Sequence, residues 1–305
     1  MENKKGARAL SAPLRVYWDI AAEKDGGISP ETAGKAAEEL ASLKVFFVTL
    51  ALFGKPREDL AAIIGLIKKG GSRVTLSFGR PEAVPEAEVF QLADGVDVRP
   101  DGEGLLESLL AAVPAGKQAT LTLTPERGGA EAAGRMIKAA LDAGVRTFSL
   151  ANPNIVYDRE SAPRFALGAS DRKAYADVLE GLLGTLDSGV RLFVHDLFLH
   201  RTLNLPCLGG RIEYAGCQAG DAIAYIDKAG TVYPCATFPV PLGELGRQTV
   251  KEIWSSAERL GLRERIVSAP GECAGCGELP DCKGGCRGLA WEIAGPEGKD
   301  PNCRG

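Results

Sequence analysis

Short apolar segments alternate with amphipathic segments along the first two thirds of the chain. The apolar segments are rich in branched and aromatic residues, as expected of strands that are buried on both faces of a parallel sheet. Each is followed by a stretch whose apolar residues recur at helical spacing. Seven strands are predicted, at residues 14–20, 44–50, 74–78, 95–98, 119–123, 146–150 and 190–194.

Amphipathic helices are predicted between these strands. Ser29 and Pro30 provide an N-cap and a first helical position for a helix that runs to about Leu43. Pro56 opens a second helix, which stops at Gly70. Further helices are predicted at 85–92, 105–113, 130–143 and 171–188.

The strict alternation of strands and helices determines the expected fold class. It implies right-handed crossovers and a parallel sheet. We therefore expect an α/β fold built as a partial (βα)6 TIM-like barrel, with an open doubly wound sheet as the alternative. In both architectures ligands bind at the C-terminal ends of the strands.

Charge and hydropathy exclude several classes of partner. The chain has 305 residues, with 36 Lys and Arg against 40 Asp and Glu, and therefore offers no basic surface for nucleic acid. The longest apolar run, at 45–53, is far shorter than the roughly 20 residues of a membrane-spanning helix. Residues 1–8 are polar and lead into no apolar signal segment. A cytoplasmic protein is predicted, with neither nucleic acid nor a membrane as partner.

The cysteines divide the chain into two predicted domains. All eight lie between Cys207 and Cys303. The predicted domains are a barrel at 1–200 and a cysteine-rich domain at 201–305. Because cytoplasmic thiols are kept reduced, metal ligation is predicted in preference to a disulfide framework.

The number and spacing of the cysteines indicate metal centres. One run reads Cys273-x2-Cys276-x5-Cys282-x3-Cys286, and glycines stand beside several of the cysteines. Eight thiolates satisfy two four-cysteine [4Fe-4S] clusters with no ligand left over. Two tetrahedral zinc sites are the alternative, because Cys-x2-Cys pairs also build zinc ribbons.

The cysteine-rich segment resembles a SPASM domain. The resemblance is carried by Cys217-Gln-Ala-Gly, Tyr233-Pro-Cys235, Leu242-Gly-Glu-Leu-Gly followed by Ile253-Trp254, and the stretch from Cys273 to Cys286 with Asp300-Pro-Asn-Cys303. SPASM domains follow radical S-adenosylmethionine (SAM) domains in enzymes that modify peptides and proteins, and they hold two auxiliary [4Fe-4S] clusters. By this resemblance the ligands of the first cluster would be Cys207, Cys217, Cys235 and Cys286. Those of the second would be Cys273, Cys276, Cys282 and Cys303.

The N-terminal part resembles a radical SAM domain, with two departures. Leu14-Arg-Val-Tyr-Trp-Asp-Ile20 matches the family's first strand, which normally leads into a Cys-x3-Cys-x2-Cys loop, but the residues from Ala21 to Gly27 include no cysteine. The family's Gly-Gly-Glu-Pro after the second strand is replaced by a segment in which Lys55 stands where the carboxylate is expected. The resemblance thus implies a degenerate domain that binds no S-adenosylmethionine.

A functional hypothesis follows from these two resemblances. The chain is similar to the SPASM-only component of the GeoRSP peptide-modification systems, which implies as partners a radical SAM/SPASM enzyme, a precursor peptide or a PqqD-like peptide chaperone. The leading hypothesis is a non-catalytic iron–sulfur accessory protein that binds a peptide or partner at the barrel mouth, near Ile20, Phe53 and Phe78, and relays electrons. It assigns no catalytic residue. The alternatives are a non-radical enzyme that uses Lys55, His195 or an open cluster iron, and a zinc-stabilised scaffold.

Overall fold

A computed structural model describes residues 9–184, 189–208 and 215–303 of the chain. Its centre is a ten-stranded sheet, in which the first seven strands are parallel and stand in chain order. These strands are β1 Arg15–Ile20, β2 Phe47–Leu52, β3 Arg73–Phe78, β4 Gly95–Val98, β5 Ala119–Leu123, β6 Thr147–Leu150 and β7 Arg191–Val194. All seven predicted strands are present, and the predicted partial barrel is confirmed.

The helices between the strands form one layer around this sheet. Successive helices pack against each other, as α1 does on α2 and α5 on α6. Their bounds are α1 Pro30–Ser42, α2 Leu60–Lys68, α3 Ala87–Leu92, α4 Leu106–Ala111, α5 Ala130–Asp142, α6 Ala169–Leu183 and α7 Leu197–His200. The predicted end of the sixth helix, at 188, lies outside the described residues, as does the polar segment 1–8.

Local sequence explains where the first two helices begin. The Ser29 hydroxyl accepts a hydrogen bond from the Thr32 amide at 3.2 Å, so α1 starts where its cap was predicted. Helix α2 begins at Leu60, four residues after the predicted start at Pro56. The intervening turn is held because the buried Arg57 side chain reaches back to backbone carbonyls of the loop after β1.

The cysteine-rich segment extends the barrel sheet. Its first strand pairs in parallel with the free edge of β1, opposite to β2. The second strand pairs antiparallel with the first, and the third pairs antiparallel with the second. The bounds are β8 Ile223–Ile226, β9 Thr231–Tyr233, β10 Gly243–Glu244, α8 Val250–Trp254, α9 Ala257–Val267, α10 Leu279–Cys282 and α11 Arg287–Ala294. Across the described residues, no helix combines the length and the apolarity that crossing a membrane requires.

Candidate functional site

A cavity of about 220 Å³ lies between the C-terminal ends of the parallel strands and the cysteine-rich segment. Polar side chains at the ends of the barrel strands line one side: Asp19, Thr49, Ser77, Arg99, Asn152, Asn154 and His195. The cysteine-rich segment lines the other with Cys217, Gln218, Tyr225, Cys235, Thr237 and Cys286. The mouth of the barrel therefore holds an open space with polar side chains in its lining.

Asp19 places a buried carboxyl group in this cavity. It comes from β1 and is only 3% exposed. The Tyr225 hydroxyl donates a hydrogen bond to Asp19 Oδ2 and accepts one from Asn154 Nδ2 at 3.0 Å. Burial raises the pKa of Asp19 to about 7, although hydrogen bonds from Tyr225 and Tyr157 and the charge of Arg99 act in the opposite direction. This carboxyl group therefore changes protonation state near neutral pH.

Arg99 supplies a fixed positive charge beside Asp19. Its Nε donates to Asp97 Oδ2 at 2.9 Å, and the Ser77 hydroxyl donates to the same oxygen at 3.0 Å. Burial acts to lower the pKa of Arg99, but the nearby Asp97, Tyr17 and Asp19 outweigh it and the pKa is raised. The guanidinium thus stays charged and is held in one orientation.

Three of the four cysteines predicted for the first cluster meet at the cavity wall. Cys217, Cys235 and Cys286 all line it, and Asn152 Nδ2 donates to Cys286 Sγ at 3.7 Å. Burial, and then the neighbouring Cys217, raise the pKa of Cys235 to about 12. The fourth, Cys207, lies beside β7, where its carbonyl accepts a hydrogen bond from the Leu192 amide, and it is not among the residues that line the cavity.

All four cysteines predicted for the second cluster lie together. Burial raises the pKa of Cys273, and the proximity of Cys282, Cys303 and Cys276 adds to the effect. Cys282 also packs with Cys303 against α7. Left-handed glycines flank the thiols, with φ of 77° at 275 and 81° and 63° at 284 and 285, as expected where backbone approaches a cluster closely.

These donor sets fit iron–sulfur chemistry. All eight cysteines are free thiols. Among residues 9–184, 189–208 and 215–303, no three Cys, His, Asp or Glu side chains are grouped so as to hold a metal ion. The finding concerns sites for a single metal ion, such as zinc. It does not apply to a four-iron cluster, in which each iron takes one thiolate and the four ligand sulfur atoms stand farther apart. The two ligand sets remain predictions.

The loop after β1 does not fit a thiolate-held cluster. It contains a short 3-10 helix, Glu23–Asp25, and Arg57 Nη1 closes it by donating to the carbonyls of Ala21 and Ile28, each at 3.2 Å. Lys55 lies in a groove beside this loop, outside the cavity. The side chains of the loop offer carboxylates and an ammonium group, and the first cysteine of the chain is Cys207.

The apolar mouth predicted around the strand ends is only partly present. Phe78 is buried and packs edge-on against Phe90, with ring centroids 5.8 Å apart, and Ile20 is buried as well. Phe78 therefore belongs to the core beside α3 and is not available as an apolar surface at the mouth. Phe53 is exposed and packs against Tyr157 at 5.8 Å.

Besides the three cysteines, sequence reasoning named one residue of the cavity, His195, as a candidate site residue. His195 lies in the cavity, whereas the following Asp196 caps α7, with Oδ1 accepting from the Leu199 amide at 2.6 Å. Asp19, Arg99 and Tyr225 were not identified. The one available signal was a charged residue, Asp19, inside an otherwise mostly apolar strand.

Comparisons with known proteins agree with this architecture. The SPASM model, described as an iron-sulfur cluster-binding domain, matches residues 217–277. The AdoMet-dependent heme synthase of Methanosarcina barkeri is 31% identical over 80 residues, 26% of this chain and 23% of that protein. The mycofactocin maturase MftC of Mycolicibacterium smegmatis is 31% identical over 126 residues, 38% of this chain and 30% of that protein. The chain thus matches less than a third of the length of these curated relatives.

A solved structure shares the fold over nearly the whole chain. The structure of anSMEcpe with bound AdoMet and Cp18Cys peptide superposes with a TM-score of 0.66 at 14% identity, and the match covers 96% of this chain and 94% of that one. At this identity the likeness establishes the fold alone.

The relatives correct two predictions. The hypothesis of a non-catalytic accessory protein, and with it the expectation that the chain is not an enzyme, is contradicted because the matched relatives are a synthase and a maturase. The hypothesis was based on the loop after β1. It did not take account of the cavity, which is lined by a buried carboxyl group, a guanidinium group and thiols. The predicted absence of S-adenosylmethionine is likewise unsupported, because a structure of the same fold binds it. Residues 217–277 of the chain thus match the SPASM domain model, and the chain shares the α/β fold of the anSMEcpe structure.

Proposed function

We propose that this protein is an enzyme with a radical SAM-like fold and a SPASM segment that modifies a peptide, and that a segment of the peptide enters the cavity at the barrel mouth. The observation that carries the proposal is that one cavity is lined both by polar strand-end side chains and by Cys217, Cys235 and Cys286. A matched relative is named a maturase, and the solved neighbour contains a peptide.

The lining suits an uncharged peptide segment. Amide and hydroxyl groups of Asn152, Asn154 and Thr49 offer hydrogen bonds to backbone N–H and C=O groups, while Ala51 and Ala236 leave room for a side chain. Arg99 and Asp97 neutralise each other. Binding is therefore expected to depend on shape and hydrogen bonding more than on net charge.

The cysteines would hold the two auxiliary clusters. Cys217, Cys235 and Cys286, with Cys207 as the predicted fourth ligand, would hold the first at the cavity wall, and the remaining four would hold the second. A cluster in that position supplies a one-electron donor or acceptor beside the peptide. Because the loop after β1 does not fit a third cluster, no step of the proposal is routed through one.

Further parts of the proposal come from the sequence and from its resemblance to known families. They are a domain boundary near residue 200, a cytoplasmic location that keeps the thiols reduced, electron transfer by the clusters, and a radical SAM/SPASM enzyme or a PqqD-like chaperone as partner. Each is testable by itself and leaves the assignment of the cavity unchanged.

The test is a comparison of cavity-filling and surface variants. Anaerobically reconstituted protein is incubated with a pool of synthetic random-sequence peptides, S-adenosylmethionine and a reductant, and retained and altered peptides are identified by mass spectrometry. Ala236→Phe fills the cavity and is expected to weaken retention about tenfold or more. Ala61→Phe, at an exposed position of α2, is the matched control and is expected to behave like the wild type. Equal retention by both variants at equal iron content, or none by the wild type, would refute the proposal.

A further inference from the structure

Asp19 differs from the other carboxyl groups around the cavity in its surroundings. It is buried in β1, directly before the strand's last residue, and no salt bridge among the described residues includes it. Its hydrogen-bond donor is a phenol, the hydroxyl of Tyr225, and the nearby Tyr157 also acts to lower the pKa of the carboxyl group. Asp97, by contrast, is paired with Arg99 at 2.9 Å. Asp19 is therefore a buried acid without a bonded cation, and it faces the space assigned to the peptide.

The two tyrosines are themselves held in place. Tyr225 Oη accepts a hydrogen bond from Asn154 Nδ2 at 3.0 Å, and Tyr157 Oη accepts one from the Lys228 amide at 3.1 Å. Their rings meet edge to face, with centroids 6.5 Å apart. Since the Tyr225 hydroxyl oxygen already accepts a hydrogen bond, its proton is directed to the carboxyl group. This arrangement stabilises the carboxylate without neutralising it.

A purely structural link does not account for a carboxyl group here. The bond from Tyr225 joins β8 to β1, but the amide oxygen of an asparagine would accept the same bond without the cost of burying an acid. The charged and titratable groups around it come from several elements. They are Tyr17 on β1, Asp97 and Arg99 at the end of β4, Tyr157 after β6, His195 after β7, Tyr225 and Asp227 at β8, and the cavity thiols.

We infer that Asp19 is a catalytic acid–base residue, which takes a proton from an N–H, O–H or S–H group of the peptide bound in this cavity. The inference rests on the proposed function, because the peptide occupies the same space. In the transfer the electron pair of the broken bond stays on the peptide atom, and Asp19 becomes a neutral carboxylic acid. Tyr225 donates a hydrogen bond to the carboxylate before the transfer. The proton then passes to solvent or returns to the product.

The raised pKa agrees with this role. Burial brings the pKa of Asp19 to about 7, where ionised and protonated forms are both populated and a general base works efficiently. Rates that depend on ionised Asp19 rise with pH and level off above this value. The hydrogen bond from Tyr225 lowers the pKa, so its removal shifts the break to higher pH.

The test separates peptide binding from turnover. With the same peptide pool, Asp19→Asn is expected to retain peptides within about twofold of the wild type and to form product about 100-fold more slowly or less. Its pH profile loses the break near pH 7, whereas Tyr225→Phe keeps the break and moves it upward.

Each outcome has a defined meaning. Turnover by Asp19→Asn at the wild-type rate, or a Tyr225→Phe profile that does not move, would overturn the inference and leave the proposed function standing. Loss of retention by Asp19→Asn, with turnover of the remaining bound peptide unchanged, would assign Asp19 a binding role and overturn it as well. A wild type that retains no peptide refutes the proposed function, and the inference falls with it.

Discussion

Replacing Asp19 by asparagine is expected to stabilise the fold at neutral and alkaline pH. The pKa of this carboxyl group is raised from 3.8 to about 7 by burial. The folded state therefore holds a proton that the unfolded chain releases once the pH exceeds its ordinary value. Stability contributed by Asp19 is full below about pH 4, falls as the pH rises, and is lost above pH 7.

The magnitude follows from the size of the shift. Roughly three pKa units at about 1.4 kcal/mol each correspond to about 4 kcal/mol between the acid and alkaline limits. Because asparagine does not titrate, the free energy of unfolding of Asp19→Asn, relative to the wild type, is expected to increase by about 3 kcal/mol between pH 4.5 and pH 8.

Urea unfolding followed by circular dichroism, on samples of equal iron content, measures this difference. Taking the variant minus the wild type at each pH cancels the contributions of other titrating groups, including the buried Asp300. Asp142→Asn makes the same chemical change on the exposed face of α5 and serves as the control. A difference that stays constant or shrinks as the pH rises would refute the reasoning, since it would mean that folding does not raise the pKa of Asp19.

Three further perturbations test the loop and the metal centres. Arg57→Ala removes the buried guanidinium that closes the loop after β1. It is expected to lower the free energy of unfolding by about 3 kcal/mol and to speed amide hydrogen exchange in that loop, and unchanged exchange would contradict this. Gly285→Ala brings a Cβ to 2.3 Å from Asp300 Oδ2 and is expected to lower the iron content. Gly275→Ala has open space around its Cβ and is expected to keep more iron. Equal losses of iron by the two variants would argue against the steric explanation. Cys282→Ala is expected to halve the iron and acid-labile sulfide of reconstituted protein, roughly, and stoichiometric zinc without sulfide in the wild type would exclude clusters.

The barrel strands could be predicted because their signal is local. Val16 and Trp18 on β1 and Leu50 on β2 are fully buried, and a strand buried on both faces appears in the sequence as a short apolar run. Strand β8 has only four residues, and its place beside β1 depends on contacts between residues about 200 positions apart. Periodicity carries no information about such pairing.

The candidate site likewise has parts with a local sequence signal and parts that depend on contacts between distant residues. The second group of thiols is dense in sequence, and three of its members, from Cys273 to Cys282, fall within a few residues of each other. Both ligand sets were assigned by resemblance, and spacing gives least help with the first, because Cys217 and Cys286 are separated by most of the cysteine-rich segment. Asp19 and Tyr225 were missed because neither has a motif, and their chemistry arises only when β8 pairs with β1.

The cysteine-rich segment forms hydrogen bonds with the barrel on both sides of the cavity. On one side β8 extends the sheet at β1. On the other, Asn302 is buried against α6 and α7: its Oδ1 accepts from the Leu167 amide at 2.6 Å, its Nδ2 donates to Asp196 Oδ2 at 2.7 Å, and its carbonyl accepts from Arg172 Nη1 at 2.7 Å.

The side-chain oxygen and nitrogen of Asn302, its carbonyl and its amide are all hydrogen-bonded inside the protein, so displacing Asn302 would leave several buried groups unsatisfied. Cys303 follows directly in the chain, which ties the second group of thiols to the same framework. The strand-end carboxyl of Asp19 and the thiols at the cavity wall thus belong to one rigid arrangement. Fixed geometry of this kind is what proton transfer and electron transfer at one bound peptide require, because both fall off steeply when the reacting groups are misplaced.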